Sequence, residues 1–214
     1  MKDADMPSSP EKVENSGFGT LRTLQGLRVV VETDVEDQLD LLLRELKKLR
    51  VLPRLVNRRA DILPADGEVI FCDYSPGLAR RMPWPIGEAT AALVIMLPPD
   101  SEAFSSSMLE AVTPDAVLAR PFTANAIKAS LVMGFSQFRY ERRLRSKAAK
   151  LEENLRAMRA IERAKSIVMS TRGVGSEEAY QYIRSQAMAR RLSVSSFAEA
   201  IVSSFDLLGG LPQS

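Results

Sequence analysis

Residues 155–205 read LRAMRAIERAKSIVMSTRGVGSEEAYQYIRSQAMARRLSVSSFAEAIVSSF. A helical pattern runs as far as Arg172, where Gly173-Val174-Gly175 interrupts it, because glycine is a poor helix former. A second helix is predicted from Ser176, the expected N-cap, to about Arg190. A third is predicted to start at Ser193 or Ser195 and to end at Gly209-Gly210 and Pro212. The stretch therefore predicts three short helices that bury one small core.

Apolar residues of the second and third helices recur at helical spacing and are expected to form this core. They are Ala179, Tyr182 or Ile183, Ala187, Met188, Phe197, Ala198, Ile201, Val202 and Phe205.

Charge is distributed unevenly along the chain. Residues 1–119 hold 13 Lys/Arg against 19 Asp/Glu, a net −6, and residues 120–214 hold 16 against 8, a net +8. This favours an acidic regulatory domain beside a basic effector, the alternative being a solvated basic helix face.

A heptad pattern precedes these helices. From Leu144 onward, apolar residues alternate at spacings of four and three, preceded by Phe138; they are Leu144, Ala148, Leu151, Leu155 and Met158. No Gly or Pro interrupts residues 135–172, so one helix of about 57 Å is possible at 1.5 Å per residue. So narrow an apolar stripe predicts a coiled coil and a homodimer. The alternative is a long helix that folds back on its own domain.

The first half of the chain alternates short apolar strands with helices. Strands are predicted at 27–32, 51–56, 68–72, 91–97 and 116–119. Helices are predicted at 36–49, at 101–112 and from Ala124, with Thr123 as a cap. Pro53 places the second strand near a sheet edge. Five such β/α repeats predict a flavodoxin-like domain with a parallel five-stranded sheet, whose sites lie beyond the carboxyl ends of the strands.

Composition excludes several function classes. The chain has no histidine, which removes histidine acid/base chemistry, histidine-paired nucleophiles and most zinc sites. The single cysteine, Cys72, fits a reducing compartment. No apolar run approaches the roughly 20 residues of a membrane span, and the polar N-terminus lacks a signal-peptide core. We therefore expect a cytoplasmic protein that is not an enzyme, with no cofactor, no bound metal and no membrane contact.

The front domain, about residues 25–134, resembles a response-regulator receiver domain. That family has an acidic metal-binding pair after strand one, a phosphorylated aspartate after strand three, a hydroxyl residue after strand four and a Lys-Pro after strand five. Here Asp73 matches the aspartate, and Glu32 and Asp34 match the acidic pair in part, since Thr33 lies between them. Arg120-Pro121 stands for the Lys-Pro.

These departures point to a pseudo-receiver. Metal-assisted phosphoryl transfer needs several carboxylates on Mg²⁺ and a cation against the phosphoryl oxygens. Arginine does not substitute like for like for lysine in a tight site, and Leu97 or a neighbour replaces the hydroxyl residue. Glu32, Asp34 and Arg120 would then line a vestigial pocket, with Asp73 as a possible vestigial phospho-acceptor. The alternatives are a weak acceptor and a simple turn former in Asp73-Tyr74-Ser75-Pro76-Gly77.

The tail, about residues 155–207, resembles the ANTAR module, a three-helix RNA-binding domain of bacterial antiterminators. The residues that carry the resemblance are Ala164-Lys165, Met169, Ser176-Glu177, Ala179-Tyr180, Arg184, Ala187-Met188, Arg191, Ala198 and Ile201-Val202. A pseudo-receiver, a coiled coil and ANTAR in this order are similar to the AmiR/NasT family, and the degenerate receiver is closer to AmiR. The organisation expected is a flexible tail (1–24), a pseudo-receiver (25–134), a coiled-coil linker (135–160) and ANTAR (155–214).

The resemblance implies a concrete function. Such proteins bind leader mRNA bearing paired hairpins and prevent a terminator hairpin from forming, so that the RNA polymerase elongation complex is affected indirectly. In AmiR-like members, control comes from a ligand sensor of the solute-binding-protein fold, which acts as a negative regulator, rather than from phosphorylation. The alternatives are a DNA-binding response regulator, a phosphorylation-dependent one that uses Asp73, and a structural coiled-coil adaptor.

Residue chemistry indicates how such RNA would be held, since proteins read hairpin loops with cations on phosphates and aromatics against bases. The candidate RNA-binding residues are Lys165, Arg172, Ser176, Tyr180, Arg184, Arg190 and Arg191. Tyr180 and Arg184 are four residues apart, hence on one helix face. Tyr180 could instead pack in the three-helix core, Lys165 and Arg184 could be plain surface, and Arg190-Arg191 could complement a helix C-terminus.

Overall fold

The computed structural model describes residues 24–57, 61–85, 87–99 and 106–209. The predicted N-terminal tail lies outside the described residues except for Leu24, and so do residues 101–105 of the predicted helix 101–112 and the predicted stop at Gly210 and Pro212. The chain divides into two compact units, Met1–Glu141 and Arg142–Ser214. The division falls inside the segment expected to be a linker.

The first unit contains five strands. Its elements are β1 (Arg28–Glu32), α1 (Leu39–Lys48), β2 (Leu52–Val56), β3 (Val69–Asp73), a 3₁₀ helix (Leu78–Arg81), β4 (Ala92–Leu97), α2 (Ser106–Val112) and β5 (Ala116–Ala119). Every strand pairs in parallel, in the order β2-β1-β3-β4-β5. This is the flavodoxin-like order, so the predicted fold is confirmed, as is the edge position of the strand that contains Pro53.

The prediction of five β/α repeats is wrong in its helices. Within the described residues, α-helices follow β1, β4 and β5, only the four-residue 3₁₀ helix follows β3, and no helix lies between β2 and β3. The reason is local sequence. Pro64 precedes β3, and Pro83 and Pro85 follow the 3₁₀ helix. Proline lacks the amide donor that a helix interior needs.

The alternation of β-strand side chains divides the core into two layers. On one face Val29, Val31 and Phe71 pack with buried residues of α1 and of the third α-helix. On the other face Val30 and Ile70 pack with buried residues such as Leu63, Leu78 and Val112. A sheet covered on both faces explains why β3 is buried along its whole length.

The helix after β5, α3, runs from Ala124 to Arg172, a length of 49 residues. The Thr123 hydroxyl accepts the Ala126 amide at 3.1 Å, which confirms the predicted cap. The uninterrupted helix predicted over 135–172 is confirmed and begins earlier. One assignment within it is wrong: Phe138 does not belong to the coiled-coil stripe, because it is buried in the core of the first unit.

The second unit packs the last part of α3 against α4 (Ser176–Ala189) and α5 (Val194–Gly209). Its buried core consists of Ala164, Val168, Ala179, Ile183 and Ala198. Three small helices around one core are therefore confirmed. The small residues at the helix contacts allow the helices to approach closely.

Three local predictions in this unit are wrong. Met188 is 67% exposed and Phe205 is 47% exposed, so neither is a core residue. Ala179, Ile183 and Ala187 fill the buried face of α4 instead, and Met188 follows one residue later, off that face. The N-cap of α4 is Gly175, with Ser176 as the first helical residue. For α5 the cap is Ser193, whose hydroxyl accepts the Ser196 amide at 3.0 Å.

Candidate functional sites

Asp73 is the centre of a buried polar cluster at the carboxyl edge of the sheet. The Thr33 hydroxyl donates to Asp73 Oδ2, and Arg120 Nη2 donates to Asp73 Oδ1 at 3.1 Å. The Asp73 and Arg120 side chains are only 10% and 7% exposed. Thr33 is itself fixed, because its hydroxyl oxygen accepts the Val35 amide at 3.0 Å. Both carboxylate oxygens of Asp73 are therefore engaged within the chain.

Arg120 joins the loop after β5 to the loop after β1. Its Nη1 donates to the Asp37 carbonyl at 2.7 Å, and its guanidinium lies 4.5 Å from the centroid of the Phe122 ring. A second bond connects the same loops, since the Phe122 amide donates to Gln38 Oε1 at 2.6 Å. Three loops at the carboxyl edge are thus tied to one another through Arg120 and Asp73.

Glu32 is held by a cation that the sequence did not single out. Its side chain is fully buried and forms an ion pair with Arg81, with Nη1 and Oε2 3.3 Å apart. A buried carboxylate requires a partner, so the sequence could indicate that some Arg or Lys must approach Glu32. It could not identify Arg81, because that residue belongs to the 3₁₀ helix after β3, which no periodic pattern predicts.

This arrangement differs from an open metal site. Asp34, the third residue of the expected pocket, is exposed, and β4 ends at Leu97, which brings no hydroxyl group. Among the described residues there is no group of three or more Asp, Glu, His or Cys residues arranged to hold a metal ion. Arg81 pairs with Glu32 and Arg120 pairs with Asp73, so guanidinium groups compensate both carboxylate charges.

In the second unit, three of the predicted cations make internal contacts. Lys165 Nζ lies 3.0 Å from Glu162 Oε1. Arg172 lies 3.8 Å from the centroid of the Tyr182 ring and donates to its hydroxyl at 2.9 Å. Arg190 donates to the Gln186 side chain and stacks on Phe197 at 5.0 Å. Lys165 is thus held along α3, whereas Arg172 joins α3 to α4 and Arg190 joins the end of α4 to α5.

Arg184 and Arg191 are both exposed, and neither forms a side-chain hydrogen bond or ion pair within the part of the chain that the structure describes. Tyr180 is half-buried. Tyr180, Arg184 and Met188 follow one another at intervals of four residues along α4, which places a ring, a guanidinium and an exposed thioether in one column. We call these three residues the α4 column.

The apolar heptad residues of α3 are exposed in the single chain. Leu144, Leu151, Leu155 and Met158 are between 46% and 63% exposed, and Ala148 is exposed as well. We call these five residues the seam. Leucine and methionine side chains in a continuous stripe on a helix indicate a contact surface for another helix.

Comparison with known proteins identifies the second unit. Residues 149–202 match the protein family described as ANTAR domain. The chain carries an ANTAR domain. The match begins within α3 and ends within α5, so the ANTAR domain includes the last part of α3 as well as α4. Together with the strand order of the first unit, the chain is a receiver-like domain followed by an ANTAR domain.

A curated relative has the printed name transcriptional regulatory protein PdtaR, from two strains of Mycobacterium tuberculosis. It is 29% identical to this chain over 87 residues, which are 41% of this chain and 42% of the relative. The aligned part is therefore less than half of either protein. The printed name describes this relative as regulatory.

Solved structures give a weaker likeness. Full-length FixJ from B. japonicum has a TM-score of 0.40 at 14% identity, covering 84% of this chain and 97% of FixJ. Chemotaxis response regulator CheY4 of Vibrio cholerae has a TM-score of 0.35 at 13% identity, covering 50% of this chain and 97% of CheY4. The strand order, rather than these scores, defines the fold. No helix within the described residues is long and apolar enough to cross a membrane.

Proposed function

We propose that this protein is an RNA-binding transcription antiterminator rather than an enzyme. Its ANTAR domain binds hairpins in a leader mRNA and keeps a terminator hairpin from forming, so that RNA polymerase continues into the genes downstream. The observation that carries the proposal is the ANTAR match over residues 149–202, whose helices bear the α4 column. The printed name of PdtaR, a transcriptional regulatory protein, supports it.

The α4 column supplies the groups that single-stranded loop bases require. Arg184 and Arg191 would bind phosphates, and the Tyr180 ring would stack against a base. Ser176, exposed at the start of α4, would add a hydroxyl and the positive end of the helix dipole. Lys165, Arg172 and Arg190 make the internal contacts described above. We assign them first to positioning the helices, and their charges add to the positive field that attracts RNA.

The receiver-like domain serves as a docking surface rather than as a phosphorylation site. This part of the proposal is supported by the closed cluster around Asp73, where Thr33 and Arg120 already use both carboxylate oxygens. A phosphoryl donor would have to compete with the Thr33 or Arg120 contact on the oxygen that attacks it. Control would then come from a protein partner, which we take to be a ligand sensor of the solute-binding-protein fold that holds the antiterminator inactive. The site of action is the cytoplasm, where leader RNA is made.

Dimerisation through the seam completes the proposal. Two ANTAR domains in one assembly can bind two hairpins, and the second binding event is then intramolecular. Linked weak sites gain affinity by roughly 10²–10⁴ without new contacts. A dimer could therefore select paired hairpins even if each ANTAR domain alone binds RNA weakly.

A gel-shift titration tests the proposal. The full chain is titrated against a two-hairpin leader RNA, with single-hairpin RNA and matched duplex DNA as competitors, at two salt concentrations. Preference for the two-hairpin RNA is expected. A preference for duplex DNA would establish the DNA-binding alternative. Equal and steeply salt-dependent binding to all three would mean that the basic surface acts only as a nonspecific electrostatic one, and the proposal would fail.

A further inference from the structure

Within the second unit, α3 has apolar groups on two sides. Ala160, Ile161, Ala164 and Val168 face α4 and α5. An α-helix turns by about 100° per residue, so Ala164 lies about 200° around the helix from Leu144. The three-helix core therefore uses one side of α3, and the seam on the other side remains exposed.

The seam has a defined heptad assignment. Leu144, Leu151 and Met158 take the d positions, and Ala148 and Leu155 take the a positions, because a-to-d spacing is three residues and d-to-a spacing is four. The positions that flank such a seam are e and g. Their occupants are Arg145, Glu152 and Arg159 at e, and Lys147 and Asn154 at g. Glu141 and Glu162 occupy the next a positions beyond each end of the seam.

A second copy in parallel and in register matches every seam residue with itself. Each pair of facing seam residues forms one layer of the coiled coil, and all five layers are then apolar. In this geometry a g residue faces the e residue five positions later in the other helix. Lys147 of each copy then faces Glu152 of the other, which gives two ion pairs of opposite charge per dimer.

Other arrangements of two copies lose apolar layers. The antiparallel pairing that sets Leu144 against Leu155 and Ala148 against Leu151 places Met158 against Glu141. A parallel pairing shifted by one heptad places Leu155 against Glu162. A carboxylate in an apolar layer loses hydration, which is costly. Each alternative therefore gives up apolar layers of the seam, whereas in the parallel, in-register pairing Glu141 and Glu162 face their own counterparts beyond its two ends.

We propose that the seam binds a second copy of this chain in parallel and in register, with Lys147 of one copy facing Glu152 of the other. The inference rests on the proposed function in taking the seam as a dimer contact, and adds the direction, the register and the charged pair. Parallel pairing also places the two ANTAR domains at the same end of the coiled coil.

Cysteine cross-linking tests direction and register. In the parallel dimer Leu144→Cys and Met158→Cys each meet their own counterpart, and mild oxidation should link most of the protein as disulfide dimers. In the antiparallel pairing residue 144 lies opposite residue 155, 11 residues away, so the two cysteines would be about 16 Å apart along the axis. Disulfides need Cα atoms within about 7 Å. Cys72 is buried, and Ser146→Cys, on the side away from the seam, is the matched control.

Charge exchange tests the ion pair. Lys147→Glu alone should weaken the dimer by about fivefold, as expected when two exposed ion pairs become repulsive, and Glu152→Lys should do the same. An equimolar mixture of the two variants should form more than the statistical half of mixed dimers, because both pairs are again attractive. Lys150→Glu, an exposed c position, is the control. An unchanged dimer in Lys147→Glu would overturn the assignment.

The gel shift is repeated on the same variants, so that the two proposals can fail separately. Cross-linking at 144 and 158 supports the pairing even if hairpin RNA does not bind, and in that case only the proposed function fails. Retained preference for two-hairpin RNA with no cross-linking at either position overturns the pairing and leaves the proposed function in place.

Discussion

The carboxylate of Asp73 is fixed by donors from two different loops, Thr33 after β1 and Arg120 after β5. The sequence could predict Asp73 and Arg120 as neighbours, because the carboxyl ends of parallel strands meet at one edge. It could not predict that Thr33 binds the same carboxylate or that Arg81 neutralises Glu32. Both contacts depend on loop geometry that no periodic pattern encodes.

The Asp73–Arg120 pair is expected to stabilise the receiver-like domain. Asp73→Ala leaves the Arg120 guanidinium buried without a carboxylate, which should reduce the free energy of unfolding by about 3 kcal/mol. Denaturant unfolding followed by tryptophan fluorescence measures this, because Trp84, the single tryptophan, packs in the first unit. The double variant Asp73→Ala/Arg120→Met should recover much of the loss. A double variant as unstable as the single one would contradict the role of the pair.

In the α4 column, the ring and the charge are expected to act differently. Tyr180→Ala should reduce affinity for hairpin RNA by about tenfold, because stacking of one base contributes roughly 1–3 kcal/mol, whereas Tyr180→Phe should bind like the parent. Arg184→Ala should weaken binding to all RNAs. It should also reduce the slope of log affinity against log salt concentration by about one, the loss of one phosphate contact. Gel shifts at several salt concentrations measure both effects, with circular dichroism as the folding control. A Tyr180→Phe variant as weak as Tyr180→Ala would contradict stacking.

At the scale of elements, periodicity predicted the strands well and the helix partners less well. All five strands and the continuous helix over 135–172 followed from apolar runs and from the absence of Gly and Pro. Phe138 and Met188 were misassigned for a common reason. Period alone places a residue on a face, whereas which neighbour covers that face depends on tertiary packing. The α4 start was also shifted, because Gly175 can cap a helix as Ser176 can.

The start of α5 offers a sharp comparison between two serines. Ser193 accepts the Ser196 amide, whereas the Ser195 hydroxyl bonds only with that of Ser193 among the described residues. Ser193→Ala should therefore destabilise the second unit by about 1 kcal/mol, and Ser195→Ala should change it little. Thermal unfolding followed by far-ultraviolet circular dichroism measures both. Equal losses in the two variants would show that Ser193 is not the effective cap.

The seam should couple assembly to RNA binding. Leu151→Glu places two carboxylates in the central apolar layer, so the dimer should weaken by at least about tenfold, and the affinity for two-hairpin RNA should fall with it. Ser146→Glu adds the same charge on the side away from the seam and should leave both unchanged. Analytical ultracentrifugation and gel shifts on the same samples measure the coupling. An intact dimer in Leu151→Glu would rule out the seam as the contact.

Phosphorylation of Asp73 is not the signal in the proposed function of the full chain. A functional receiver would take up phosphate at Asp73, but that carboxylate is engaged by Thr33 and Arg120, and Glu32 is paired with Arg81. A cation from outside would have to compete with two guanidinium groups for the same oxygens. Under the proposed function, the signal enters the first unit through a docked protein partner instead.

If Asp73 is not a phospho-acceptor, phosphodonors should leave the protein unchanged. Incubation of the full chain with acetyl phosphate and Mg²⁺ should incorporate no phosphate, and the dissociation constant for two-hairpin RNA should change by less than about twofold. Intact-mass spectrometry and gel shifts on one sample measure both quantities, with Asp73→Asn as the matched control. Phosphate incorporation that disappears in Asp73→Asn would identify a working acceptor, and a parallel change in RNA affinity would make the protein a phosphorylation-dependent regulator. If neither occurs, Asp73 is a structural residue whose two carboxylate oxygens bind Thr33 and Arg120 within the chain.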